Sequence, residues 1–216
     1  MDATFSNIKA VFCDIDGTLL TSEHTVSPRT VAAIRALRER GVLFGLCTGR
    51  DAHATEAMYE LWGIDGLVDV MVGCGGAEVI DRAHGINELS YPLPGETIAR
   101  ICKHMADLPA TPVCPRDGVF YVPETNVCVE HLSRVDGVPY KVVDFAEFLR
   151  EPQPKVMFTM APEVMPQVIE RASTFVDDTV KAAALQTTQR LYEFMDSRVS
   201  KTVSYTHLTL PTILRV

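Results

Sequence analysis

The chain has no run approaching the ~20 consecutive apolar residues of a membrane span, and its first residues do not combine a basic start, an apolar core and a small-residue cleavage site. A spanning helix and a secretory leader are therefore not expected, and the expected location is cytoplasmic. Basic residues are in deficit: 20 Lys and Arg against 28 Asp and Glu leave a formal net charge of −8. A nucleic-acid or anionic-membrane partner needs a basic patch, so neither is expected. The six cysteines, Cys13, Cys47, Cys74, Cys102, Cys114 and Cys128, never fall at CxxC spacing. That argues against a disulfide framework or a zinc site and fits free thiols in a reducing compartment. There is no internal repeat, no low-complexity tract, and no Asp or Glu after Asp196.

What the chain does have is ordinary globular material: 216 residues, 47% hydrophobic and 22% charged, enough for one large or two small domains with a proper core. One stretch stands out. The apolar run Ile8 to Cys13 reads as a buried strand and stops at two carboxylates, Asp14 and Asp16, spaced i, i+2. A strand has period two, so both leave on one side. Gly17 and Thr18 then give a tight turn that can bring backbone N–H groups to an anion, and Leu19 and Leu20 resume burial. Such a pair suits phosphoryl transfer through an aspartyl phosphate, in which Asp14 attacks and Asp16 moves a proton to and from the leaving and attacking oxygens. Two anions facing a phosphate repel it, so a divalent cation on Asp14 and Asp16 is expected. Mg²⁺ is the natural choice, because it takes oxygen ligands and bridges carboxylate to phosphate.

Ser27-Pro28 reads as an N-cap followed by proline at the first helical position. Val31, Ile34 and Leu37 repeat at helical spacing until Gly41 closes the helix. Val42 to Cys47 is a second strand, ending at Thr48-Gly49-Arg50-Asp51. A helix is expected from Ala52 to Trp62, and Leu67 to Val72 as a third strand. This alternation predicts a parallel sheet with right-handed crossovers. A hydroxyl at Thr48 can donate to a phosphate oxygen without adding negative charge, and Arg50 supplies a nearby cation.

The string Asp14-Ile15-Asp16-Gly17-Thr18-Leu19-Leu20, with Thr48-Gly49-Arg50 behind it, resembles motifs I and II of the haloacid dehalogenase (HAD) superfamily, and Ser22 to Arg50 is similar to its Cof-type subgroup, subfamily IIB. The resemblance implies a Rossmannoid α/β core, a Mg²⁺-dependent phosphatase of small phosphorylated metabolites such as sugar phosphates, and phosphoryl contacts from Thr18, Thr48, Gly49 and Arg50. Leu191 to Lys201 resembles motif III, where Lys201 would neutralise Asp14 and the transferred group. Gly75 stands where family members carry Asn, so any side-chain contact from that position is missing.

Proline-punctuated residues 82–188 read as an inserted α+β domain, in the resemblance a C2-type cap that selects substrate. The expected core is then 1–81 with 189–202. In the insert, Val127 to Val129 is expected as a strand, Pro162 to Phe175 as a helix, and Arg116, Asp117, His131 and Arg134 as solvated loop residues. Residues 203–216 fit nothing in the family and lack its acidic motif IV. They are expected to be a non-native tail on a truncated core, with Ser204 to Leu210 as a makeshift strand in the alternative. Two other functions stay open: an inactive HAD fragment that only binds phosphate, and a receiver-type signalling domain, against which DxDGT and the insert both count.

Overall fold

The computed structural model describes residues 8–177 and 182–201. Calls that fall on 203–216, including the makeshift strand, lie outside them. The chain divides into two compact units, Met1–Leu89 with Ser200–Val216, and Ser90–Val199.

The first unit holds a five-stranded sheet in the order β1 (Ala10–Cys13), β2 (Leu43–Cys47), β3 (Val70–Gly73), β4 (Glu78–Asp81), β5 (Ile86–Leu89). The pairs β1–β2 and β2–β3 are parallel, as the strand-helix alternation predicts. The antiparallel hairpin β4–β5 extends the sheet beyond them. Among the described residues, β1 has β2 as its one neighbour and so forms the sheet edge. Helix α1 (Pro28–Glu39) starts where the sequence says: the Ser27 hydroxyl oxygen accepts the Thr30 N–H at 3.1 Å. The expected Ala52–Trp62 helix is two pieces, α2 (Ala52–Glu56) and α3 (Tyr59–Trp62). Between them the Met58 N–H turns back to the Thr55 carbonyl at 3.0 Å, an i→i−3 bond that tightens the chain. Ile15, Leu19, Ile34, Phe44, Leu46, Trp62, Ile64 and Met71 share one core beneath these elements.

The second unit carries a six-stranded sheet. Its strands are β6 (Ala110–Arg116), β7 (Val119–Val122), β8 (Tyr140–Val142), β9 (Val156–Met160), β10 (Ala182–Thr188) and β11 (Leu191–Asp196), in the order β10-β11-β9-β6-β7-β8. Helices α4 (Gly95–Met105), α5 (Val127–Asp136), α6 (Phe145–Phe148) and α7 (Met165–Ser173) complete it. Ile98, Ile101, Met105, Phe158, Val168, Tyr192 and Phe194 form its core.

Three sequence expectations are corrected here. Val127 to Val129 begins helix α5 instead of a strand, because the Asn126 side-chain oxygen accepts the N–H groups of Cys128 and Val129 at 3.0 and 3.1 Å. The punctuating Pro112 and Pro115 lie inside β6; residues 110–113 pair only with β9 and 114–116 only with β7, so each proline sits where the strand is paired on one side. Lastly, both insert boundaries shift toward the C-terminus, from 82 and 188 to Ser90 and Val199. The hairpin β4–β5 keeps residues up to Leu89 in the first unit, and β11, expected in the core, pairs with β9 and β10. A buried ion pair, Lys155 Nζ to Glu193 Oε2 at 2.9 Å, ties β11 to the segment entering β9.

Candidate active site

Asp14 leaves β1 in extended backbone, and the chain then turns over residues 15–19. Two bonds close the turn, Leu19 N–H to the Asp14 carbonyl at 3.2 Å and Leu20 N–H to the Ile15 carbonyl at 3.1 Å. Gly17 takes φ 74°, a left-handed conformation that strains any residue with a Cβ. Ile15 and Leu19 drop into the core while Asp16, Gly17 and Thr18 stay exposed. The apolar residues thus anchor the turn and the acids are presented outward, the alternation that the i, i+2 spacing implies.

The two carboxylates have different partners. Lys201 Nζ donates to Asp14 Oδ1. Arg50 grips Asp16 side-on, Nε to Oδ2 and Nη2 to Oδ1, each at 2.9 Å. Thr48 directly follows β2, the strand beside β1, and is 1% exposed. Its hydroxyl oxygen accepts the Arg50 N–H at 3.2 Å, which folds Gly49 and Arg50 into a tight corner. Of the residues singled out by sequence, Asp14 and Lys201 are therefore brought into contact across the chain, and Asp16 and Arg50 likewise. Thr18 lies in the exposed turn between them, and Thr48 and Gly49 lead directly into Arg50. The structure gives the Arg50 guanidinium to Asp16, a partner that sequence spacing did not reveal.

Carboxylate oxygens are hard donors of the kind Mg²⁺ takes, and Asp14 and Asp16 supply them on one open turn. A second group offers ligand atoms within 4.8 Å of one another: Asp51, Cys74 and Glu78. Its oxygens already accept backbone donors, Ala54 N–H on Asp51 Oδ1 and Ala52 N–H on Glu78 Oε2, each at 2.8 Å. That engagement gives the group a structural task in the loop after β2. Sequence reasoning passed over it; the available signal was a carboxylate, Glu78, directly ahead of the apolar pair Val79 and Ile80. Among the thiols, burial pushes Cys13 up, with Asp14 adding to the effect, and burial pushes Cys102 up to about 12. Both are kept as unreactive thiols.

Residues 11–211 match the model of the haloacid dehalogenase-like hydrolase family. The chain belongs to that family. A candidate phosphatase of Haemophilus influenzae is 30% identical over 209 residues, covering 93% of this chain and 72% of its own length. In three dimensions the chain is similar to a haloacid dehalogenase-like hydrolase from Bacteroides thetaiotaomicron, with TM-score 0.81 and 15% identity over 94% of this chain and 76% of that one. It is also similar to a HAD subclass IIB sugar phosphatase, with TM-score 0.71 and 18% identity over 93% of this chain and 75% of that one. At such identities these likenesses show the α/β fold. Within the described residues no helix is long and apolar enough to cross a membrane.

Proposed function

We propose that this HAD-family hydrolase cleaves phosphoric monoesters of small metabolites, sugar phosphates foremost, through a phosphorylated Asp14. The observation that carries the reading is the division of labour between the two acids: Asp14 faces an ammonium, and Asp16 is fixed by a guanidinium fork. An Asp14 oxygen attacks phosphorus, and the bond from phosphorus to the ester oxygen breaks. Asp16 delivers the proton that the departing alkoxide needs. Water then attacks the aspartyl phosphate, gives its proton to Asp16, and phosphate leaves with Asp14 regenerated. Lys201 offsets charge on Asp14 and on the phosphoryl group, while Thr18, Thr48 and Gly49 line the phosphoryl position and Arg50 keeps Asp16 aimed. Mg²⁺, held by Asp14 and Asp16, would supply electrostatic stabilisation of the transferring group. The second unit acts as the substrate-selecting cap, and the cytoplasm, where phosphorylated metabolites are found, is the proposed location.

Acid-quenched mass spectrometry after exposure to p-nitrophenyl phosphate and Mg²⁺ tests the reading. The peptide containing Asp14 should gain the mass of one phosphoryl group, and Asp14→Asn should not be labelled. Label retained in Asp14→Asn would remove Asp14 as the nucleophile.

A further inference from the structure

Glu78 is a carboxylate set among apolar residues. Its neighbours Ala77, Val79 and Ile80 are buried, yet its side chain turns to the start of α2, where the Ala52 N–H donates to Oε2 at 2.8 Å. Cys74 adds a side-chain hydrogen bond to the same carboxyl. Two backbone bonds fasten this neighbourhood to the loop after β2: Cys74 N–H to the Arg50 carbonyl at 2.7 Å, and Gly75 N–H to the Thr48 carbonyl at 2.9 Å. The packing leaves no slack. A Cβ on Gly73 would come within 2.7 Å of both the Ala52 nitrogen and Glu78 Oε2.

We propose that Glu78 is the positioning residue of the Thr48–Arg50 loop, holding it from behind through Ala52 so that Thr48 and the Arg50 fork keep their aim. The proposal rests on the reading of that loop as the segment that binds phosphoryl oxygens and orients Asp16. The ionisable groups facing Glu78 are Asp51, Cys74 and His53. Burial first, then the Asp51 charge, push the Glu78 carboxyl up to about 7, against the opposing pull of the Ala52 N–H, Cys74 and His53. An ionised carboxylate accepts an N–H bond more strongly than a neutral acid, so the loop is gripped tightly above that pH and loosely below it.

The test follows backbone amides of the ¹⁵N-labelled 216-residue chain from about pH 5 to about pH 9, alongside binding of inorganic phosphate, since one carboxyl ionisation moves from neutral to charged across that span. The Ala52, Arg50 and Thr48 amides should titrate together with a midpoint near 7. In Glu78→Gln, which keeps an acceptor oxygen and folds without a charge, the same amides should be flat, and this separates Glu78 from His53. Loss of the acceptor in Glu78→Ala should weaken phosphate binding about tenfold or more, and Glu78→Gln should weaken it less than about threefold. An Ala52 titration that leaves Thr48 and Arg50 unmoved, or one that persists in Glu78→Gln, would overturn the proposal. Wild-type protein that fails to bind phosphate while the three amides still titrate together would count against the phosphatase reading and for Glu78 as the loop's anchor.

Discussion

Arg50 holds Asp16 by two side-on hydrogen bonds of 2.9 Å, although 34 residues separate them in sequence. The geometry fixes both carboxylate oxygens of the acid. In the proposed mechanism it makes the proton-transfer group sensitive to a residue that itself carries no transferable proton near neutral pH.

Replacing Arg50 by Ala should therefore slow esters with poor leaving groups more than esters with good ones. A sugar phosphate expels an alkoxide that must be protonated, whereas p-nitrophenolate leaves without help. Rate losses of about 10²-fold or more on an alkyl phosphate, with a much smaller loss on p-nitrophenyl phosphate, are expected by steady-state kinetics. Equal losses on both would mean that Arg50 serves binding instead of acid positioning.

Asp16→Asn should leave Asp14 able to attack but unable to be freed efficiently. Stopped, acid-quenched samples should show more phosphorylated chain than wild type at the same time point. A variant with no label at all would move Asp16 into the attack step.

Mg²⁺ should bind the 216-residue chain weakly. Asp14 and Asp16 are the two carboxylates of the turn, each already facing a cation, and no Asp or Glu follows Asp196 in the sequence. Calorimetric titration decides this: binding as tight as in a relative that carries an acidic motif IV would reveal ligands beyond these two.

Much of the first unit is legible in its residues, because the signals are local. Ser27-Pro28 caps a helix by its own hydroxyl, and apolar runs ending in Asp14 and Thr48, alternating with helical patterns, mark parallel strands. The missed features depend on partners far away. Pro112 and Pro115 read as breaks until the one-sided pairing of β6 excuses their missing N–H groups. Leu191 to Asp196 has the look of a core strand in either unit, and its allegiance is decided by Tyr192 and Phe194 packing with Phe158. The site divides the same way: Asp14, Asp16, Thr48 and Lys201 come from motif strings, while the Arg50 fork and the Glu78 anchor exist only once β1, β2 and β4 are side by side.

Glu78 also sets a pH trend in stability. Its carboxyl sits at about 7 in the folded chain against an ordinary 4.5, so the folded state binds the proton more tightly. Stability from this group is complete below the ordinary value and is lost as pH rises toward 7. Urea unfolding at about pH 5 and about pH 8 should show wild type losing up to about 3 kcal/mol more than Glu78→Gln on that shift. An identical pH trend in both proteins would place the ionisation elsewhere.

Residues 8–13 should exchange amide hydrogen quickly, with dye-accessible apolar surface alongside, because among the described residues β1 is an apolar strand paired on one side, which leaves donors and acceptors open. Hydrogen exchange with mass detection and 8-anilinonaphthalene-1-sulfonate fluorescence measure both. Slow exchange there in a monomer would mean that the open edge of β1 is covered.

The bond between Lys201 and Asp14 spans 187 positions of chain, most of them belonging to the second unit. On a translating ribosome the acidic turn emerges 187 residues ahead of its ammonium partner. At roughly 5–20 residues per second the two are born about 10–40 s apart. For most of that interval the nascent protein carries Asp14, Asp16, Thr48 and Arg50 without the lysine, so the charge set is completed only after the second unit has been made.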